Sequence, residues 1–230
     1  MPSVMMPPSN VSLEARARQS RGASTDAIYR MAAAALSRRH IGGNVIVDVG
    51  CGSGAFWSFV NQRFASYRGV DAIAYPGFPA EGRFHRIDLN EGRLPFPDAT
   101  ADVAVAIETI EHLENPRAVV REMVRVVRAG GWVVVTTPNQ LSLRSVLALI
   151  VRHRFAAFQD VDYPAHITAL LEIDLRRIAA ECGLGDVEVE YSGAGRIVFV
   201  PWTYPAWCVR RFPRALSDNL LVIGRKATSP

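Results

Sequence analysis

Lysine is almost missing from this 230-residue chain: Lys226 stands alone among 26 basic residues, and the rest are arginine. No run of five or more like charges occurs, and the net charge is only +4 at pH 7. A nucleic-acid-binding surface masses its positive charge on one face or stripe, so this scatter argues against such a partner despite a pI near 9.2. Cysteine is scarce as well. Cys51, Cys182 and Cys208 are far apart and form no C-x-x-C pair, which excludes a zinc ribbon or a thiol-redox motif and fits a reducing compartment. The uncharged stretch 197–209 is broken by Pro201 and Pro205 and falls short of the ~20 residues a membrane-spanning helix needs. Met1 to Pro8 has no basic segment leading into an apolar one, so no secretory leader is expected and the expected location is cytoplasmic.

What the chain does have is apolar content, 49% hydrophobic against 21% charged, which excludes a mainly disordered polypeptide. A chain of 25.2 kDa hides roughly 70–75% of its unfolded surface and needs no staple to build a core. The first 23 residues, rich in Pro, Ser and Arg without an apolar period, read as a flexible arm before a single domain over 24–230. Ser24, Thr25 and Asp26 are set to cap a helix with Ile28, Met31, Ala32 and Ala35 on one face. Beyond Gly42 and Gly43, β-branched runs alternate with helical periods, the pattern of an α/β fold whose helices cover a mostly parallel sheet.

Strands are predicted near 45–49, 67–70, 84–87, 103–107, 132–136, 187–191 and 219–224, seven in all. Phe56, Phe59, Val60 and Phe64 recur at helical spacing after the first strand. Asn115 and Pro116 form a cap and first-turn pair for a helix that Gly130 would stop, and further helices are predicted near 143–151 and 173–182.

Chemistry concentrates in the segment 45–54, Val-Ile-Val-Asp-Val-Gly-Cys-Gly-Ser-Gly, a buried strand feeding a glycine-rich turn. Gly50, Gly52 and Gly54 let the backbone bend sharply and approach a ligand, and a nucleotide-type ligand at the end of this strand is the natural expectation. The third glycine comes one residue sooner than in the dinucleotide fingerprint, and Asp48 ahead of the turn disfavours phosphate and favours an ammonium. Asp71, at the end of the second strand and 17 residues beyond Gly54, has the spacing of a carboxylate that accepts from ribose hydroxyls. A cationic amino acid joined to adenosine satisfies both acids, and S-adenosylmethionine is such a molecule.

With these residues stand Ile87-Asp88-Leu89, Leu94-Pro95-Phe96-Pro97-Asp98, Glu108 through Leu113 (Glu-Thr-Ile-Glu-His-Leu) and Gly130-Gly131-Trp132. Together they make the chain resemble, from about Asp26 to Lys226, the class I S-adenosylmethionine-dependent methyltransferases. It is similar to the small-molecule group that includes the ubiquinone-biosynthesis O-methyltransferases. The resemblance implies a Rossmann-like seven-stranded sheet with helices on both faces and its last strand antiparallel. It also implies that the turn, with Cys51, wraps the methionine part of the donor and that Asp71 binds the ribose. Asp88 would reach the adenine amino group beside Leu89, and Glu108 would begin the loop under the sulfonium.

Methyl transfer from a sulfonium asks mainly for positioning, and a hydroxyl acceptor gains from a base. His112 and His166 are the candidate bases, both following strand ends. The expected reaction is O-methylation of a small molecule, a sugar or a lipid-linked glycan, and no resident metal is expected. An alternative rests on Glu108, Glu111, His112 and His166, which resemble the divalent-metal set of the small-RNA 3′-end 2′-O-methyltransferases; a quinone precursor is a further alternative acceptor. Two insertions, near 141–165 and 193–216, exceed what the sheet needs and are expected to cover the acceptor. In the second, Trp202, Tyr204 and Trp207 lie beside arginines, which suits a peripheral contact with an anionic membrane.

Overall fold

A computed structural model describes residues 17–20, 22–198, 200 and 202–228. Its frame is one seven-stranded sheet in the order β3-β2-β1-β4-β5-β7-β6. The strands are β1 (Gly43–Val49), β2 (Phe64–Asp71), β3 (Arg83–Arg86), β4 (Ala101–Ile107), β5 (Val127–Pro138), β6 (Leu184–Tyr191) and β7 (Asn219–Lys226). The first five pair in parallel, and β7 runs antiparallel to both of its neighbours. The sheet and its handed-over last strand are therefore as expected from sequence.

The helices that accompany it include α1 (Asp26–Arg38), α2 (Trp57–Val60), α3 (Pro116–Val126), α4 (Leu143–Arg152), α5 (Glu172–Glu181), α6 (Ala206–Arg211) and α7 (Pro213–Leu216). The central strands are apolar on both faces because a helix layer lies on each. On one side Leu36 and Phe56 pack with Ile46, Tyr67 and Ile223. On the other, Met123 and Ile178 pack with Val47, Ala104 and Leu220. Full burial of each such aliphatic side chain stabilises the fold by ~1.5–3 kcal/mol.

Local departures from the sequence reading have physical causes. Phe64 opens β2 rather than continuing the preceding helix, which ends at Val60. Its four-residue offset from Val60 suits a helix, yet it is buried on the strand. Thr25 occupies the N-cap position of α1 without a side-chain bond to the helix, while Ser24 N donates to the Tyr29 hydroxyl at 2.8 Å. Gly130 does not stop α3, which ends at Val126; it sits inside β5 at φ +73°. Asn115 does cap α3, its side chain accepting from Ala118 N at 3.1 Å, with Pro116 in the first turn.

Candidate active site

The parallel strands β1, β2 and β4 end on one side of the sheet, and their following loops line a cavity of about 1220 Å³. Gly50, Cys51, Asp71, Asp88, Leu89 and Glu108 line it, as do His112 and His166. The glycine turn has the conformation its residues were selected for: φ is +74° at Gly50, +52° at Gly52 and +74° at Gly54. A Cβ on Gly50 would strike the Thr109 side chain at 2.4 Å, so the turn is packed against the loop after β4.

Gly52, Gly54 and Asp48 are not among the lining residues. Asp48 lies behind the turn, 2% exposed, and accepts from the Tyr67 hydroxyl at 2.5 Å. Burial pushes its carboxyl up to about 7, countered by the Tyr67 bond and reinforced by Asp71. A cation on the far side of the turn would return it to the ionised form.

Asp71 anchors the turn directly. One of its oxygens accepts from Gly52 N at 2.8 Å and the other from Ala72 N at 2.7 Å. Burial raises its pKa while these backbone donors oppose the rise. Each carboxylate oxygen keeps a lone pair for a further donor, so two vicinal hydroxyls are still a match. At the next strand end Asp88 accepts from Asn90 N at 2.9 Å, a bond that points the loop 88–90 at the cavity.

The segment expected to be a flexible arm contributes a roof over its described part. Ser53 N donates to Gly22 O at 2.8 Å, and a Cβ on Gly52 would fall 1.9 Å from that same oxygen. Gly52 is thus needed for an inner-chain contact. The Gln19 side-chain amide donates to Val161 O at 3.0 Å and Tyr163 O at 3.1 Å, and the Tyr75 hydroxyl donates to Ala17 O. These bonds join the arm to the glycine turn at one end and to the first insertion at the other. No apolar period announces them, because the partners are backbone carbonyls.

Glu108 takes a left-handed backbone, φ +49°. Its oxygens accept from the Thr136 hydroxyl at 2.9 Å and the Asn219 amide at 2.7 Å. Burial and the neighbouring Glu111 push its carboxyl well up. Thr136 and Asn219, on β5 and β7, escape a sequence reading because nothing near them in the chain marks them as partners of Glu108.

Glu111, His112 and His166 are brought together: one potential ligand atom from each lies within 4.8 Å of the others. Glu108 stands outside this group, so the four-residue set read from sequence reduces to three. Glu111 is 1% exposed; one carboxylate oxygen accepts from the Thr137 hydroxyl at 3.2 Å and the other has no partner. Burial pushes this carboxyl up to about 8. His112 Nδ1 lies 2.9 Å from Ala165 O, and His166 Nδ1 lies 2.5 Å from Ala157 O. Carbonyls only accept, so each Nδ1 carries the proton. The ring centroids are 4.8 Å apart. Burial, then His112, lowers the pKa of His166.

Further cavity wall comes from the two insertions, including Arg144, Gln159, Arg196 and Thr203, and from the start of α1, including Ile28 and Tyr29. Trp202 and Trp207 are 71% and 69% exposed, whereas Tyr204 is half-buried. Among the described residues no helix is long and apolar enough to cross a membrane.

Residues 47–135 match a protein family described as "Methyltransferase domain". A probable S-adenosylmethionine-dependent methyltransferase of Mycolicibacterium smegmatis is 33% identical over 103 residues, covering 44% of this chain and 40% of that protein. A ubiquinone biosynthesis O-methyltransferase of Pseudomonas paraeruginosa is 30% identical over 124 residues, covering 49% and 52%. The chain thus spans between two fifths and about half the length of these relatives. Among solved structures, an S-adenosylmethionine-dependent methyltransferase of Archaeoglobus fulgidus superposes with TM-score 0.62 at 18% identity, over 86% of this chain and 94% of that one. A putative methyltransferase of Haloferax volcanii gives TM-score 0.63 at 18% identity, over 94% and 95%. The sheet and its helices are therefore the Rossmann-like methyltransferase fold.

Proposed function

We propose that this chain, whose residues 47–135 are a methyltransferase domain, transfers a methyl group from S-adenosylmethionine to a hydroxyl oxygen of a small molecule, a sugar or a lipid-linked glycan. The observation that carries the reading is the single cavity wall holding Asp71, Asp88 and the glycine turn on one side and the paired imidazoles on the other. The donor set fits the cofactor: Asp71 has free lone pairs for a ribose diol, Asp88 can accept from an exocyclic amine, and Cys51, Leu89 and Ile107 offer apolar walls to a purine. When bound, the cofactor supplies an electrophilic methyl on a sulfonium whose leaving group is neutral.

The protein's part is then to hold and deprotonate. Glu108, locked by Thr136 and Asn219, fixes the backbone between β4 and the His112 turn. His166 and His112 present Nε2 lone pairs, and a hydroxyl within reach of either gives up its proton there as the oxygen attacks. Such a base contributes roughly 10²–10⁴ in rate, beside the ~7–11 kcal/mol that positioning can supply. The same groups would serve a quinone-precursor hydroxyl, the acceptor class that the name of the Pseudomonas relative suggests. A contact of Trp202, Tyr204 and Trp207 with anionic lipid would bring a lipid-linked acceptor to the cavity. Calorimetry with S-adenosylhomocysteine tests the reading: saturable binding with one site per chain is expected, and no heat at millimolar ligand contradicts it.

One observation favours a second reading, in which Glu111, His112 and His166 hold a divalent cation. One Glu111 oxygen is buried and partnerless, a potential ligand atom of each of the two histidines lies within 4.8 Å of one from Glu111, and each Nδ1 is tied to a carbonyl as in metal-binding histidines. One carboxylate with two imidazoles suits Mn²⁺, Fe²⁺ or Zn²⁺. A terminal ribose of RNA is the alternative acceptor under this reading. Metal analysis of protein purified without chelator decides between the two: one bound equivalent that His166→Ala loses supports the cation, and a metal-free active enzyme refutes it.

A further inference from the structure

Arginines in this protein are almost all engaged or bathed in solvent. Arg39, Arg125, Arg176 and Arg196, for example, pair with carboxylates. Arg144 is different. It is half-buried, it lines the cavity, and among the described residues it has no hydrogen bond, ion pair or ring contact. Burial lowers its pKa, and nearby Arg196 and Arg152 act in the same direction. The nearby acids Asp218 and Asp162 oppose that shift, yet neither bonds to Arg144: Asp218 accepts from Arg196 Nε at 3.0 Å, and Asp162 accepts from Gln159 N at 2.9 Å. Arg144 is also the second residue of α4, a helix with no acid in its first turn. A cation there opposes the partial positive charge of the helix end.

The Arg144 guanidinium lines the cavity with its donors unclaimed by the protein, so they are available to a ligand. Its planar fork matches the paired oxygens of a carboxylate or phosphate. We infer that Arg144 is the anchor for an anionic group on the methyl acceptor, a carboxylate or a phosphate ester. This rests on the methyltransferase reading, and it narrows the acceptor from any hydroxyl compound to one that carries an acid. Arg144 is a specificity residue and takes no part in proton transfer. The anion held there leaves the neutral part of the acceptor to extend along the wall towards His166.

Titration of the S-adenosylhomocysteine-saturated protein with inorganic phosphate, and separately with acetate, at constant ionic strength tests it. At least one anion should bind saturably, and the stronger one names the acidic group. Arg144→Gln should weaken that binding at least tenfold, whereas Arg152→Gln, an exposed change on the same helix, should alter it less than twofold. Equal S-adenosylhomocysteine affinity in all three proteins verifies that the cofactor half is intact. Failure of either anion to saturate, or undiminished binding by Arg144→Gln, overturns the anchor. Absence of S-adenosylhomocysteine binding in the unaltered protein overturns the methyltransferase reading instead.

Discussion

The two halves of the cavity are built from different material. The cofactor half is the ends of β1, β2 and β4, strands locked in register, with Asp48 level with Gly69 and Val105. Its acids accept from backbone N–H groups of adjoining loops. The proposed acceptor half is formed by the two insertions, with Ile150, Val151, Val161, Trp202 and Trp207 left exposed. A site made of strand ends tolerates few residue types at few positions, while a site made of long connections is free to vary. The lesson is that donor and acceptor chemistry should separate experimentally.

The largest effect expected from that separation is on turnover. His166→Ala should lower kcat roughly 10²–10⁴-fold. Its S-adenosylhomocysteine affinity should stay within twofold of wild type. Because burial holds His166 below the ordinary imidazole value, the neutral base persists to lower pH than a free histidine would, and the acid limb of the rate profile should fall below that value. A parallel loss of cofactor binding would break the division.

A second effect comes from the buried acids, Asp48 first among them. Asp48 has a folded pKa of about 7, raised above its unfolded value near 3.9, so its contribution to stability is complete in acid and is lost as pH rises through about 7. At 1.36 kcal/mol per unit the loss amounts to about 4 kcal/mol in the ligand-free protein. Glu111, at about 8, acts in the same direction. Urea unfolding between pH 4 and 8 should show stability falling with pH, and Asp48→Asn should flatten much of that slope. A variant as pH-sensitive as the wild type would place the titration elsewhere.

The smallest of the three probes the roof that joins the halves. In Gly52→Ala the added methyl meets Gly22 O, and φ +52° is strained for alanine, together about 1–3 kcal/mol. Melting temperature should fall by several degrees and the segment 17–23 should become sensitive to protease. An unchanged proteolysis pattern would show that the arm does not depend on Gly52.

Sequence carried the cofactor half well and the acceptor half poorly, for a reason visible in single residues. Gly50 needs its positive φ and Asp71 needs its place at a strand end, and both requirements leave a mark within a few residues of chain. Glu108 depends on Thr136 and Asn219, 28 and 111 positions away. The pairing of His112 with His166 depends on carbonyls of Ala165 and Ala157, to which any residue type could contribute. The bonds of Gln19 and Gly22 to the first insertion and the glycine turn leave no mark in the sequence because they run to or from backbone atoms. Phe64 was assigned to a helix because a four-residue offset is the same whether the chain continues helical or turns into a strand.

The central claim, one cavity with a donor half and an acceptor half, is tested most directly by titrating S-adenosylhomocysteine into wild type, Asp71→Ala and His166→Ala side by side. The account predicts that Asp71→Ala weakens binding at least tenfold while His166→Ala leaves it within twofold. Equal affinity in wild type and Asp71→Ala would contradict it.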